Sequence, residues 1–247
     1  MPKVIDIYNF LDSFAPFNTQ EEWDNSGLLV GDGEKKISKV FVCLDCTSEA
    51  VKKAEKLSCG LIISHHPIIF SPLKALPQNN AAYLAAKNDI SVISTHTCYD
   101  FAENGVSDTL AKTLGLKNIR KSPTGEYTLG ETEKTTVSDL AKTVKEKLNA
   151  RVSFCNENIE VETVAVCGGA GFDFIFDAKQ NGADAYITGE SSYHEFLDAA
   201  NENIGLITAG HFETEVIAMK PLKEKLEKEF PEIQFILADE SSVIKNI

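Results

Sequence analysis

The order of strand-like and helical segments repeats once along the chain, and this repeat limits the fold more than any other feature. In the first copy, the apolar segments KVFVCLD, GLIISHH and ISVISTH alternate with the helical segments TSEAVKKAEKL and AAYLAAKN. The same order returns in TVAVCGGAG, FDFIFDAKQN, GADAYITGE, YHEFLDAANE and IGLITAGH. A shift of 124 residues aligns Cys43 and Ile63 with identical residues, and a shift of 114 does so for Ile93. Alternating strands and helices predict an α/β fold with mostly parallel sheets.

The repeat predicts two similar, duplicated α/β lobes, and 247 residues are enough to give each lobe its own core. We place the first lobe at residues 1–123 and the second at 124–247, because the polar stretch PTGEYTLGETEKT separates the copies. The N-terminal segment MPKVIDIYNFLDSF has the pattern of an amphipathic helix rather than that of a signal peptide. Apolar runs stay below the roughly 18 residues of a membrane span. We therefore expect a cytoplasmic protein that does not enter the membrane.

The charge balance disfavours one class of partner. The chain has 24 Lys and Arg against 37 Asp and Glu, for a net charge of −13. Nucleic-acid binding depends on basic side chains that neutralise phosphates, so a nucleic-acid partner is not expected. Only two arginines are present, Arg120 and Arg151, which argues against a guanidinium clamp for phosphate. An anionic substrate would need metal ions, lysines or backbone amides to hold it.

Four of the five histidines follow predicted strands directly. In parallel α/β sheets, ligands collect beyond the carboxyl ends of the strands. The residues at these ends with metal-binding side chains are His65, His66, His96, Asp100, His211 and Glu215. An isolated histidine in an apolar run is usually a core residue that bonds to the backbone. Two in succession, followed by the strand-ending Pro67, favour a binding site instead.

The types and spacing of these residues predict a metal centre. In GHFETE, a helix that begins near His211 would place His211 and Glu215 on one face, at positions i and i+4. Imidazole and carboxylate ligands suit Zn, Fe, Mn, Co or Ni. Such a ligand set does not fill the coordination of two divalent ions and leaves positions for water. The ions lower the pKa of a water that binds there. Hydrolysis is the reaction that this arrangement favours.

Several other motifs have a functional and a structural interpretation. The CLDC motif has redox or zinc spacing, but residues three apart in a strand face opposite sides, which favours a structural role. The turn CGGAGF either presents amides to a phosphate or only closes a tight turn. His96 is a candidate for orienting a ligand or a water, and His194 either lines the cleft or is a structural residue. The turn WDNSG leaves open a role for Trp23 or Asp24.

The motifs EEWDNSGLLVGD, SHHPIIF, STHTCYDFAENGVSD, CGGAG, TGESSYHEFLDA and GHFETE occur in this order along the whole chain. In this the chain resembles the NIF-three-like family, whose members are also called GTP cyclohydrolase I type 2 homologues. The resemblance implies a dinuclear metal centre at the junction of the two lobes and assembly into a toroidal homohexamer. Relatives often have Asn-Leu where this chain has Cys98 and Tyr99. The metal ligands that the resemblance implies are His65, His66, Asp100, His211 and Glu215.

Three functions remain open at this point. The family name implies a hydrolase like GTP cyclohydrolase, which acts on a nucleotide or related heterocycle through metal-activated water. The first alternative is a non-enzymatic protein that stores, delivers or senses metal. The second is a hexameric scaffold that binds a protein partner. The sequence does not identify a catalytic residue beyond the expected metal ligands.

Overall fold

The computed structural model describes residues 1–245, which divide into two compact units. The first unit consists of Met1–Ala102 together with Met219–Glu240. The second consists of Glu103–Ala218 together with the described residues after Glu240. Among the described residues, no helix is both long enough and apolar enough to cross a membrane.

Strands and helices alternate through most of the chain, as the sequence predicts. In chain order, the strands are β1 (Gly27–Val30), β2 (Lys39–Asp45), β3 (Leu61–His66), β4 (Ser91–Ser94), β5 (Lys117–Lys121), β6 (Thr128–Thr136), β7 (Ser153–Cys155), β8 (Glu160–Val166), β9 (Ala185–Thr188), β10 (Gly205–Thr208) and β11 (Gln234–Leu237). The α-helices are α1 (Val4–Phe14), α2 (Ser48–Lys56), α3 (Ala81–Lys87), α4 (Thr97–Phe101), α5 (Val106–Leu114), α6 (Val137–Leu148), α7 (Ile175–Gln180), α8 (Tyr193–Asn201), α9 (His211–Glu215) and α10 (Met219–Glu229).

The first unit contains a five-stranded sheet in the order β1-β4-β3-β2-β11. Strands β4, β3, β2 and β11 run parallel, and β1 is antiparallel to β4. The central strands are continuous apolar runs because helices cover both faces of such a sheet. Helix α2 begins where the sequence predicts, with the Thr47 hydroxyl accepting a hydrogen bond from Ala50 N at 3.1 Å. The predicted amphipathic helix at the N-terminus is confirmed, since α1 buries Val4, Ile7 and Leu11.

The second unit contains a six-stranded sheet in the order β5-β6-β8-β9-β10-β7. Strands β8, β9 and β10 are parallel, whereas β5, β6 and β7 each pair antiparallel with a neighbour. Both sheets are therefore mixed. The prediction of mostly parallel strands describes the first sheet but is wrong for the second, because β5 and β6 form a hairpin and β7 returns antiparallel beside β10.

The hairpin lies where the sequence suggested a linker. Within the stretch PTGEYTLGETEKT, Gly125 adopts a φ of +94° in the turn and β6 follows from Thr128. Ser122 N donates a hydrogen bond to Tyr127 O at 2.9 Å, which closes the turn. Strand β5 and the outer half of β6 are largely exposed, so polar side chains occupy both faces. That pattern conceals a strand from an analysis of hydrophobic periodicity.

The repeat in the sequence is also a repeat of structural elements. A shift of 124 residues carries α2 onto the 3-10 turn Phe172–Phe174 and α7, which together span 172–180. A shift of 114 carries β4 onto β10 and α4 onto α9, in both cases with the same bounds. The short helices α4 and α9 are thus equivalent, and both follow the third parallel strand of their copy. Each of them carries predicted metal ligands.

The two copies exchange their last elements between the units. Helices α5 and α10 correspond under the same shift, but α5 belongs to the second unit and α10 to the first. Strand β11 follows α10 and pairs with β2 of the first sheet. For this reason the bounds of the units differ from the predicted lobes 1–123 and 124–247: the chain enters the second unit at Glu103 and returns to the first at Met219.

Candidate metal centre

In the first unit, two adjacent histidines end β3, and each is held through its Nδ1 atom. The His65 side chain is fully buried, and its Nδ1 donates to Thr95 O at 2.9 Å. His66 Nδ1 donates to Asp45 Oδ1 at 2.8 Å. Their ring centroids are 5.0 Å apart. Because Nδ1 carries the proton, Nε2 of each ring presents the lone pair that binds metals.

A third histidine joins this pair from the end of β4. His96 immediately precedes α4, and its Nδ1 donates to Asp24 Oδ1 at 2.8 Å. One ring nitrogen each of His65, His66 and His96 lies within 4.8 Å of the other two, so these imidazoles form a group that could hold a metal ion. His96 therefore has a more central position than the sequence indicated. We call these three residues the histidine cluster.

The carboxylate that holds His96 is itself firmly bound. The side chain of Asp24 is fully buried, and its Oδ2 accepts hydrogen bonds from Thr97 N at 3.0 Å and Thr97 Oγ1 at 2.6 Å. Burial alone would raise the pKa of Asp24, but hydrogen bonds from His96 and Thr97 outweigh it and hold that pKa well below its usual range. Asp24 thus stays ionised and fixes the orientation of the His96 ring.

Asp100 completes the predicted ligands of the first unit. It lies on α4 with 7% of its surface exposed, and its Oδ1 is 3.4 Å from His65 Nε2. Two ligands of one ion at metal distances of about 2.0–2.1 Å are separated by about 3.0–3.4 Å, depending on the coordination geometry. The His65 and Asp100 atoms therefore have the spacing of two ligands that share an ion.

The second unit brings together the other two predicted ligands. Helix α9 begins at His211, which confirms the predicted helix, and Gly210 before it has a φ of +87°. His211 Nε2 lies 3.1 Å from Glu215 Oε1, which is again the spacing of two ligands of one ion. His211 Nδ1 donates to Glu190 Oε1 at 3.1 Å. As in the histidines of the first unit, Nδ1 therefore carries the proton, and Nε2 presents the lone pair that binds metals.

The glycine-rich turn after β8 lies against this ligand pair. A Cβ at Gly169 would overlap Glu215 Oε1 and would lie 3.1 Å from His211 Nε2. Gly169 also has a φ of +63° and donates from its amide to Thr214 Oγ1 at 3.1 Å. The turn thus leaves room for the ligands and helps to position α9. The positive φ of Gly169 agrees with the tight-turn interpretation of CGGAGF, and the contact with the ligand pair adds a role that the sequence did not indicate.

Two further motifs of the sequence, CLDC and the histidine of GESSYHEF, lie outside the predicted ligand set. Cys43 and Cys46 belong to one apolar cluster, so the opposite-face argument was wrong. The reason is that β2 ends at Asp45, before Cys46. The hydrogen bond from Cys46, together with burial, raises the pKa of the Cys43 thiol well above its usual value, which makes a reactive thiolate unfavourable. His194 is exposed on α8, next to Tyr193.

The acceptors of the imidazole Nδ1 atoms were the part of the site that sequence reasoning missed. Asp45 and Glu190 follow or end strands, which was a usable signal, because these positions border the same sheet edges as the histidines. Asp24 gave a weaker signal, since it lies in a turn before β1 and 72 residues from His96. Its place in the WDNSG turn was the only indication.

An α/β protein with two mixed sheets and imidazole–carboxylate groups at the strand ends is the class that the fold and the site define. The chain belongs to the Duf34/NIF3 (NGG1p interacting factor 3) family, whose profile matches residues 2–245. A protein from Clostridium perfringens named GTP cyclohydrolase 1 type 2 homolog is 33% identical over 97% of each chain. A protein of the same name from Campylobacter jejuni is 39% identical over 86% of this chain and 87% of its own.

Solved structures agree with this assignment. A hypothetical protein from Staphylococcus aureus matches over 100% of both chains, with a TM-score of 0.92 and 29% identity. Reduced HcgD from Methanocaldococcus jannaschii matches over 96% of this chain and 98% of its own, with a TM-score of 0.82 and 27% identity. A Bacillus cereus protein related to NIF3 has a TM-score of 0.93 at 22% identity, which shows the shared fold.

Proposed function

We propose that the protein is a dinuclear-metal-dependent hydrolase, similar to GTP cyclohydrolase, that acts on a nucleotide or related heterocycle. The observation that carries this proposal is the common hydrogen-bonding pattern of the imidazoles. In His65, His66 and His211, Nδ1 donates to a carbonyl or carboxylate oxygen. Histidines that bind metals have this arrangement, because it fixes the tautomer and increases the basicity of Nε2.

The proposed ligands of two divalent ions are His65, His66, Asp100, His211 and Glu215. These donors suit Zn, Fe, Mn, Co or Ni, and the spacing within the His65–Asp100 and His211–Glu215 pairs fits ligands of a common ion. Two such ions, when bound, polarise a substrate oxygen and lower the pKa of a bound water. Asp45 and Glu190 would keep their histidines in the orientation that this chemistry needs.

The names of the relatives support a nucleotide as substrate, and the charge of the chain limits how it is held. Two relatives that cover most of the chain are named GTP cyclohydrolase 1 type 2 homolog. With a net charge of −13 and two arginines, the protein has few side chains that could clamp a triphosphate bidentately. The proposal therefore assigns the phosphates to lysines, amides or the metal ions.

A toroidal homohexamer is the assembly that we propose on the basis of the resemblance. Light scattering on the purified protein gives a direct test, because six chains of 27.1 kDa differ clearly in mass from a monomer or a dimer. A stable mass other than that of six chains would refute this assembly. The test is independent of the metal and of the substrate.

Turnover by defined metal forms tests the hydrolase. The protein is stripped with a chelator, reloaded separately with Zn, Mn, Fe, Co or Ni, and assayed with GTP and a panel of nucleotides. We expect at least one metal form to hydrolyse a nucleotide, and His65→Ala to abolish this activity. His194→Ala is the matched control, since that histidine is exposed on α8. Metal that binds and exchanges readily, without turnover of any nucleotide, would favour the metal-handling alternative.

A further inference from the structure

We propose that Trp23 and Phe70 form an aromatic platform beside the histidine cluster, and that this platform binds the planar heteroaromatic ring of a small-molecule ligand. The inference rests on the proposed function, because it names the part of the substrate that the first unit recognises. It concerns residues to which the metal chemistry gives no role. The platform and the histidine cluster both belong to the first unit.

Both rings of the platform are open to solvent. Trp23 is 58% exposed and Phe70 is 51% exposed, although each is a large apolar side chain. Their ring centroids are 5.9 Å apart and their planes are inclined by 51°, so neither ring covers the other completely. An exposed aromatic face attracts another planar ring through stacking and through the removal of apolar surface from water. Adjacent exposed aromatic rings therefore point to a binding surface.

The backbone that carries the platform is held in place by hydrogen bonds. Asn25 Nδ2 donates to Ile69 O at 2.6 Å, which joins the turn after Trp23 to the segment before Phe70. Asp24, next to Trp23, is fixed by its bonds to His96 and Thr97. A surface that is ordered before a ligand arrives loses less entropy on binding. The exposure of these rings is therefore a feature of an anchored segment.

The platform is adjacent to the candidate metal centre. The His96 ring lies 5.9 Å from the ring of Trp23 and 6.2 Å from that of Phe70, in edge-to-face orientation. The same His96 ring lies 5.2 Å from His65 and 5.5 Å from His66. The His96 imidazole is therefore a common neighbour of the platform and of the predicted ligands His65 and His66. A ring that stacks on the platform would place its substituents near the site where we expect the ions.

The chemistry of the surroundings favours a ring over an anionic group. Indole and phenyl rings present flat apolar faces, on which a planar heterocycle such as a purine can stack in an offset arrangement. The carboxylates of Asp24 and Asp45 bond to the histidine cluster, so these side chains do not themselves attract a phosphate. Stacking on aromatic side chains accepts different bases, since each base has a π face. We therefore assign the platform to the heterocycle and leave the phosphates to other groups.

Trp23 makes the experiment direct, because it is the only tryptophan in the chain. The metal-free, full-length protein is titrated with guanosine, and its intrinsic fluorescence is recorded. Ribose 5-phosphate, which lacks the ring, is the ligand control. We expect saturable quenching by guanosine and none by ribose 5-phosphate. Phe70→Leu should raise the Kd for guanosine by about tenfold, since stacking on one side chain contributes on that scale.

Phe154→Leu is the matched control variant, because Phe154 is a 42% exposed aromatic residue on β7. It should leave the Kd for guanosine unchanged. Circular dichroism checks that each variant folds, which we expect since both side chains are largely exposed. Quenching that stays linear and equals that of free N-acetyltryptophanamide would overturn the proposal, as would a Kd that Phe70→Leu does not change. Blue-shifted emission protected from acrylamide before any ligand is added would overturn it too, because a second copy would then cover Trp23.

The outcomes separate this inference from the proposed hydrolase. Saturable binding of guanosine that depends on Phe70, without turnover of any nucleotide, retains the platform and refutes the enzyme. Turnover of GTP with a KM that Phe70→Leu leaves unchanged retains the enzyme and refutes the platform. Absence of both guanosine binding and nucleotide turnover would refute the platform and the enzyme. Binding and turnover are measured in separate assays.

Discussion

Each histidine of the candidate centre is positioned through Nδ1, but the acceptors differ in exposure. His65 bonds to a buried backbone carbonyl, which substitution of a side chain cannot remove. His66 bonds instead to Asp45, whose side chain is 46% exposed. Among these contacts, the His66–Asp45 bond is therefore well suited to a test of whether orientation of the imidazole controls metal binding. Removing Asp45 alters the acceptor and leaves the predicted ligands in place.

We predict that Asp45→Ala weakens metal binding by about 10–100-fold, the usual effect of losing the partner of a ligating histidine. Without the carboxylate, the His66 ring can rotate, and Nδ1 competes with Nε2 for the proton. Competition with a chromophoric chelator measures the affinity. Asp198→Ala, at an exposed position on α8, serves as the control and should bind metal like the unaltered protein. Equal affinities for both variants would show that Asp45 does not orient a ligand.

The predicted ligands and their acceptors differ in how much the sequence reveals. The histidines end or follow apolar strands, so the geometry of a parallel sheet is enough to bring His65, His66 and His96 together. The acceptors are set by tertiary contacts between distant segments, such as the 72 residues that separate His96 from Asp24. A carboxylate in a turn has many roles, and only the folded chain shows which imidazole it meets. The joint use of ligands from both units stays a prediction.

At the scale of the elements, the turn between β8 and α7 requires a glycine at one position. Gly169 needs both a positive φ and the absence of a side chain beside Glu215. We predict that Gly169→Ala abolishes high-affinity metal binding, because the added methyl group displaces the Glu215 carboxylate. The measurement is a calorimetric titration of the metal-free protein with Zn²⁺.

Gly182→Ala provides the control for backbone strain at this position. Gly182 has a φ of +90°, but a Cβ there would meet nothing within 4 Å. Both variants should lose about 1 kcal/mol of unfolding free energy, the usual cost of forcing alanine into this region. Only Gly169→Ala should lose the metal. If Gly182→Ala impaired Zn²⁺ binding equally, the effect would come from general destabilisation and not from the contact with Glu215.

A buried carboxylate joins helix α5 to the β5–β6 hairpin. Asp108 Oδ1 accepts from Thr128 Oγ1 at 2.6 Å and lies 2.9 Å from Lys121 Nζ. Burial raises the pKa of Asp108, but the hydrogen bonds from Thr128 and Lys121 exceed this effect and lower its pKa overall. The stabilisation is therefore complete above the unfolded pKa of about 3.9 and is lost as the pH falls through the lower folded value.

We predict that Asp108→Asn lowers the free energy of unfolding by about 2 kcal/mol at pH 7, the scale of hydrogen bonds to a charged group. This difference from the unaltered protein should shrink below about pH 4, where the unfolded carboxyl takes up a proton. Urea unfolding at several pH values measures it. Glu133→Gln should change little at any pH, because the Glu133 side chain is 91% exposed in its ion pair with Lys117. A pH-independent difference for Asp108→Asn would contradict the assigned role of the charge.

The elements differ in how well their sequences predict them. Strands β2, β3 and β4 are apolar on both faces, and α2 has a threonine cap, so local patterns determine them. The β5–β6 hairpin is polar because it lies at an exposed edge, and its PTGEY turn looks like a linker. Periodicity reports burial, and an edge hairpin is little buried. The strands of this hairpin are recognised from their antiparallel pairing and from the contacts of Asp108, which the sequence does not display.

At the scale of the whole molecule, the exchange of terminal elements links each unit to a distant part of the chain. Leu110 on α5 packs in the core of the second unit, with Val164 and Ile187. Leu222 on α10 is 1% exposed, and its helix contacts β2 and β11 of the first unit. Repeat periodicity alone assigns each helix to its own copy. The exchange became visible only from strand pairing, because α5 and α10 have similar amphipathic patterns.

We predict that the two leucines stabilise opposite units. Leu110→Ala should increase amide hydrogen exchange in β8 and β9, and Leu222→Ala should increase it in β2 and β3. Each substitution removes a buried side chain and should cost about 2–5 kcal/mol of local stability. Hydrogen exchange with peptide-level mass spectrometry measures both, and each variant is the control for the other. If either substitution accelerated exchange equally in β2 and β8, the two units would unfold as one cooperative body, and the exchange of elements would not divide the stability of the chain.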